Sequence, residues 1–268
     1  MNAAPKSTSD EGSGQPRRTD HVGSLEKGLA VLDALAAHPR GLTLTDTAEA
    51  VGLTRAGARR LLLTLVATGH ARQEGRLFLL TPRLLTLARS WLTGVPLWEF
   101  ALPHMRAVAE ALNESCSAAV LADTDVVYVA RVPGERIMSV SLHVGTRLPA
   151  WCTSMGRVLL GGLAPADLPG VLSRSKLVQN TPKTQTDPAA LMRAIADAAR
   201  DGYALVDEEL EMGLMSIAVP IRERSGRIVG AINVPAQSAR YTPAKLKAAA
   251  LPVLRKATAD IEAFFLVQ

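Results

Sequence analysis

The sequence predicts an α+β chain: a small helical module closed by a β-hairpin, then a larger antiparallel sheet covered by helices. Two observations carry this prediction. Between residues 42 and 80 two short helical patterns, each preceded by a threonine, flank a glycine and are followed by a strand–turn–strand pattern. Beyond residue 95, apolar strands joined by turn sequences alternate with amphipathic helices, the arrangement of hairpins packed beneath helices. The chain has 268 residues, 48% of them hydrophobic, enough for two cores.

In chain order, residues 1–20 are polar and rich in Ser, Gly and Pro, and a disordered tail is expected. Ser24 is the expected cap of a helix through Ala37, with Leu25, Leu29, Leu32 and Leu35 inward and His38-Pro39-Arg40-Gly41 ending it. Thr43 caps a second helix, with Asp46 in its opening turn and Leu44, Ala48 and Val51 at helical spacing. Gly52 ends it, Leu53 is the expected buried turn residue, and Thr54 caps a third helix to about Thr68. Leu61, Leu62, Leu65 and Val66 form its apolar face, and Gly69 stops it. Two short strands then flank Gln73-Glu74-Gly75-Arg76. From Thr81-Pro82 a linker helix is expected to about Leu92, packed on its own hairpin, serving as a rigid connector, or forming a dimer seam. The expected domains are a tail over 1–20, a winged helix-turn-helix over 21–81, a linker helix over 82–94 and a second domain over 95–268.

In that second domain Pro103 opens a helix to about Asn113. Strands are expected at 117–122 and 126–131 across the turn Asp123-Thr124-Asp125, and at 138–144 up to Gly145. Helices follow at 154–163 and 165–172, then a polar loop at 174–186. Asp187-Pro188 opens a helix to Asp201, capped by Gly202, and a short strand covers 203–206. A hairpin joins 216–222 to 227–234, and Thr242-Pro243 opens the last helix.

The helix-turn-helix pattern points to DNA. Thr54, Arg55, Arg59 and Arg60 sit in the first half of the third helix, away from its apolar face, where a recognition helix meets base edges. Arg72 and Arg76 on the hairpin can reach phosphates. Residues 1–92 hold 12 Lys and Arg against 8 Asp and Glu, whereas the remainder holds 18 against 17; the basic excess lies with the helical module. The competing reading is a plain helical hairpin with solvated arginines.

Three later segments suggest a ligand. After the strand ending at Gly145, the chain turns through Arg147, Trp151 and Cys152 into a helix near Thr153, Ser154 and Met155. Free amides at such a start suit an anion, although an ordinary capped helix reads the same way. Asp207 lies among four acids on a loop, which is usually solvated. Ser216 and Asn233 interrupt apolar strands and need partners, either a ligand or a neighbouring backbone group. Trp151, Met155 and Ile217 are candidate apolar walls. Cys152, His143 and Asp207 could be drawn as a nucleophile, base and orienter of a hydrolase, but Cys152 fits equally as a small apolar residue. No phosphate-binding Gly-Lys loop or metal-ligand spacing is present, so no cofactor or metal is expected. Two cysteines are too few for a disulfide scaffold. The first residues lack an apolar leader and no apolar run nears the roughly 20 residues of a membrane span. A cytoplasmic location is expected.

Ser24-Leu25-Glu26-Lys27-Gly28-Leu29, Leu53-Thr54-Arg55, Gly202-Tyr203, Asp207-Glu208-Glu209, Gly213-Leu214 and Ser216-Ile217-Ala218-Val219-Pro220 together resemble the IclR family of bacterial transcriptional regulators, over nearly the whole chain from Ser24. Leu148-Pro149-Ala150-Trp151-Cys152-Thr153-Ser154-Met155-Gly156-Arg157-Val158-Leu159-Leu160, Val127–Pro133 and Arg136–Val140 resemble its branch controlling protocatechuate, 4-hydroxybenzoate and β-ketoadipate catabolism. The resemblance implies a GAF-like effector domain and a homodimer or dimer of dimers on an operator, acting with RNA polymerase. It also implies a switch operated by a small aromatic or dicarboxylic acid, and no enzymatic activity. A hydrolase, or a ligand-binding module with a vestigial DNA domain, is the alternative.

Overall fold

In the computed structural model of the chain, residues 22–86, 97–134 and 142–267 are described. They fall into two compact units divided between Gly94 and Val95. The tail over 1–20 and the linker beyond residue 86 lie outside the described residues; a helix does begin at 83–86.

The first unit holds helices α1 (Gly23–Ala37), α2 (Leu44–Ala50) and α3 (Arg55–Ala67) and strands β1 (Leu42–Thr43), β2 (Ala71–Glu74) and β3 (Leu77–Leu80), with sheet order β1-β3-β2. Val31, Leu35, Leu42, Leu62, Ala71 and Phe78 form its core. The sequence expectation for α1 needs two corrections. Val22 is its N-cap, without a side-chain cap bond, so Ser24 lies inside the helix. Leu25 and Leu29 are exposed at 61% and 53%. Gly28, whose added Cβ would touch Leu61, lies on the same side as Val31 and Leu35. At 100° per residue Leu25 and Leu29 sit about a quarter-turn or more round from that side. The leucine stripe was legible, but not which flank of it meets α3.

The α2 cap is as the sequence suggests. Thr43 Oγ1 accepts from the Asp46 amide at 3.2 Å, while the Asp46 carboxylate accepts from the Thr43 amide at 3.2 Å and hydroxyl at 2.8 Å. These bonds hold the Asp46 carboxyl below its ordinary pKa and satisfy two orphan groups of the helix start. Gly52, at φ +63°, makes the left-handed turn between α2 and α3. Thr54 Oγ1 then caps α3 by accepting from the Gly57 amide at 3.1 Å. The two-residue turn Gly75-Arg76 joins β2 to β3, with Glu74 opposite Leu77.

The second unit is a six-stranded antiparallel sheet, order β6-β5-β4-β9-β8-β7: β4 (Cys116–Ala122), β5 (Asp125–Val132), β6 (Arg147–Pro149), β7 (Ala204–Asp207), β8 (Leu214–Arg222) and β9 (Ile228–Gln237). Helices α4 (Leu97–Leu112) and α8 (Pro243–Glu262) cover one face, where Trp98, Met105, Leu246 and Leu254 pack on Met215, Ile217, Val219, Ile232 and Val234. The opposite face carries α5 (Ser154–Leu160) and α7 (Pro188–Asp201), with Trp151, Met155, Leu191 and Ile195 against Val126, Tyr128, Ala218 and Ala231. Alternate strand residues serve the two layers, as a period of two requires. A further helix α6 (Leu168–Arg174) and a last turn α9 (Phe264–Val267) complete the unit.

One expectation fails here. Pro103 does not open α4; it lies inside it. The lost backbone bond is offset by burial of Leu97, Trp98 and Ala101 ahead of it, each large side chain contributing about 1.5–3 kcal/mol. The expected strand over 138–144 is tested only at its end. Residues 138–141 lie outside the described residues, residues 142–144 are not in a strand, and β6 pairs with the side of β5 that faces away from β4.

Candidate functional site

Each unit carries a concave site that gathers sequence candidates. In the first, α3 and the β2–β3 hairpin flank a cleft lined by Thr43, Thr45, Arg55, Arg59, Leu63, Gln73, Gly75 and Arg76. Arg55, Arg59 and Leu63 recur every four residues and so share one face of α3. The cleft brings Arg55, Arg59 and Arg76 together. Arg60 is exposed outside it, and Arg72 is engaged by Glu74 on the same strand. Thr54 acts as the helix cap. Thr45 and Gln73 were missed by the sequence reading. Gln73 lies on β2, with Nε2 donating to the Gly75 carbonyl at 3.0 Å, and only the folded hairpin turns it towards α3.

In the second unit a cavity lies between the sheet and the start of α5. Its floor is one parity of the sheet: Ser117 of β4, Tyr128 of β5, Val206 of β7, Leu214 and Ser216 of β8, Asn233 and Pro235 of β9. Its roof is Leu142, Leu148 and Cys152 to Met155, with Leu210 from the loop after β7. Ser216 donates to Ser154 Oγ at 2.9 Å. Arg131 Nη1 donates to Ser117 Oγ at 3.2 Å. Thr153 is occupied internally: its hydroxyl donates to the Pro149 carbonyl at 3.0 Å and accepts from the Gly156 amide at 3.2 Å. Burial pushes the Tyr128 phenol up to about 12. Asn233 Oδ1 is buried and has no hydrogen-bond partner.

Thus Cys152, Thr153, Ser154, Met155, Ser216 and Asn233 come together, and four sequence candidates do not. Arg147 lies on the edge strand β6, where Nε meets Asp125 at 3.1 Å and Nη2 the Ala122 carbonyl at 3.2 Å. Trp151 is buried in the apolar layer above the sheet. Asp207 takes Lys183 at 2.9 Å, which raises the Lys183 pKa. Ile217 faces the opposite layer, as its neighbour Ser216 demands. The acid loop is not solvated throughout: Glu208 and Glu209 are buried. The Ser238 hydroxyl and then Lys183 hold the Glu208 carboxyl below its ordinary pKa, and Glu209 meets Arg157 at 2.7 Å. Burial, followed by the Glu209 charge, pushes the Cys152 thiol up to about 12. It is protonated at neutral pH and is no thiolate nucleophile.

The profile described as the IclR helix-turn-helix domain matches residues 24–75, and that of the bacterial transcriptional regulator IclR C-terminal matches residues 89–263. The chain belongs to the IclR family. It is a DNA-binding transcriptional regulator, not an enzyme. IclR relatives include the Pca regulon regulatory protein of Pseudomonas putida, 40% identical over 90% of this chain and 84% of that one. The p-hydroxybenzoate hydroxylase transcriptional activator of Acinetobacter baylyi is 33% identical over 91% of this chain and 92% of its own. Among solved structures, an IclR homologue from Microbacterium hydrocarbonoxydans complexed with 4-hydroxybenzoate superposes with a TM-score of 0.78 at 28% identity, covering 91% of this chain and all 100% of that one. Among the described residues, no helix of this IclR chain is long and apolar enough to cross a membrane.

Proposed function

We propose that this IclR-family regulator controls genes of aromatic-acid catabolism and is switched by a small carboxylate bound in the second-unit cavity. The candidate effectors are protocatechuate, 4-hydroxybenzoate and β-ketoadipate. The observation that carries the reading is the cavity: apolar walls enclose Ser154, Ser216 and an unpartnered Asn233 oxygen, as a small polar metabolite requires. The relatives' control of Pca and p-hydroxybenzoate genes and the 4-hydroxybenzoate complex support the ligand class. Residues 21–81 form the DNA-binding domain, 82–94 the linker helix and 95–268 the effector and oligomerisation domain. The protein acts in the cytoplasm as a homodimer or dimer of dimers, with RNA polymerase at the promoter.

On DNA, α3 enters the major groove with Arg55 and Arg59, while Arg76 on the wing takes phosphate. Arg59→Ala weakens operator binding by about 1–3 kcal/mol if its contact is bidentate to guanine. Arg76→Ala weakens all sequences alike and flattens the salt dependence. Footprinting and mobility shifts on the upstream region check this. Protection without two-fold symmetry, wild-type affinity in both variants, or a shift indifferent to every aromatic acid would count against the reading.

A further inference from the structure

We infer that the cavity selects an effector carrying a hydrogen-bond donor, a phenolic monocarboxylate rather than an aliphatic dicarboxylate, and that Asn233 Oδ1 is the group that selects it. This rests on the proposed effector reading and narrows it. Among the described residues two buried side-chain polar atoms lack a partner, Asp207 Oδ1 and Asn233 Oδ1, and of these residues only Asn233 lines the cavity. Asn233 is 6% exposed. It sits mid-strand in β9, opposite Ser117 on one side and Ala218 on the other. Ala218 has no side-chain donor. Ser117 Oγ accepts from Arg131 and Ser216 donates to Ser154, and neither Ser117, Ser154 nor Ser216 is a hydrogen-bond partner of Asn233 Oδ1.

A carbonyl oxygen only accepts, so its missing partner must bring an O–H or N–H. An ionised dicarboxylate bearing a ketone offers acceptors alone. Seating it would set acceptor against acceptor and leave Asn233 Oδ1 without the hydrogen bond that a donor would form. A phenol keeps its proton near neutral pH, since such groups titrate near about 10. A hydroxybenzoate therefore gives Oδ1 its donor, and its ring suits the Leu148, Val206, Leu210 and Leu214 walls. An analogue lacking the hydroxyl forgoes that bond and leaves the site's own polar group unpaired.

The test is calorimetric titration of the full-length protein with 3- and 4-hydroxybenzoate, 3,4-dihydroxybenzoate, 4-aminobenzoate, benzoate, 4-fluorobenzoate, adipate and 3-oxoadipate. The best hydroxylated acid is expected to bind at least about tenfold tighter than benzoate and 4-fluorobenzoate, with 4-aminobenzoate retaining most of the gain and both dicarboxylates weaker. Asn233→Leu should bring the best hydroxylated acid down to the affinity of benzoate and leave benzoate within about threefold, which also reports an intact pocket. The wild-type series decides alone if that variant does not fold. Equal binding of benzoate or 4-fluorobenzoate overturns the role of Asn233. A dicarboxylate binding tightest overturns the ligand class while the carboxylate-effector reading stands. If no acid binds, both fall.

Discussion

Gly156→Ala is expected to destabilise the second unit by more than about 4 kcal/mol, in the rare upper range for a single substitution. Gly156 sits in the first turn of α5, and its amide donates to Thr153 Oγ1. A Cβ there would fall on the backbone of Ala150, overlapping its Cα, carbonyl carbon and oxygen. The obstacle is main chain, so no rotamer change relieves it. Moving Ala150 would drag Trp151 and Cys152, both buried, and break the bonds from Thr153 to the Pro149 and Ala150 carbonyls. The cavity roof would go with them. Gly170→Ala is the contrast. It lies inside α6, its Cβ would meet nothing nearer than Arg174 Nη1 at 3.5 Å, and it should stabilise by about 0.5–1 kcal/mol. Urea unfolding of the two variants and wild type checks both. A Gly156→Ala protein within about 1 kcal/mol of wild type would mean that the close turn over α5 does not exist.

The parts legible in the sequence are those fixed by neighbours in the chain. Thr43 with Asp46, Thr54, Gly52 and the Gly75-Arg76 turn act within four residues, so the helix-turn-helix and its wing could be read directly. Strand parity was equally available. Ser216 and Ile217 are adjacent in β8 and must face opposite layers, so placing Ile217 in the wall beside Ser216 contradicted the pattern itself. Other features depend on partners distant in sequence. Ser117 reaches the cavity because β4 pairs with β9 and sets it across from Asn233, a register that no local signal gives. Arg147 is a candidate by its nearness in sequence to the start of α5, but β6 lays it beside Asp125 at the tip of the β4–β5 hairpin. Trp151, Asp207 and the rest of the acid loop share that cause: their partners in the apolar layer, at Lys183 and at Arg157 are far along the chain. The Pro103 misreading is of another kind. A proline is a sound signal for a helix start, but burial of the preceding turn overrode it.

Breaking the Arg157–Glu209 pair is expected to cost about 3–5 kcal/mol, the range for leaving one buried charge without its partner. The two side chains are 8% and 10% exposed and meet at 2.7 Å. Each has a second anchor. Arg157 Nε donates to the Trp151 carbonyl at 3.2 Å, and Glu209 Oε2 accepts from the Gln185 amide at 3.0 Å. Thr184 also donates to the Glu209 carbonyl at 2.7 Å. The pair thus ties α5, the loop before α7 and the loop after β7, and the last of these carries Leu210 into the cavity. Glu209→Leu should strand the guanidinium, and Arg157→Met should strand the carboxylate. The double variant has no charge to strand, so it should cost less than the two single changes added together. Denaturant unfolding of all four proteins measures this coupling. Because Leu210 moves with its loop, each single variant should also lose effector affinity, whereas removing an exposed pair such as Arg200–Asp197, 68% and 57% exposed, should leave stability and binding unchanged. Single variants that cost under about 1 kcal/mol, or a double variant whose cost equals the sum, would mean that this pair is solvated in solution and does not hold the cavity wall.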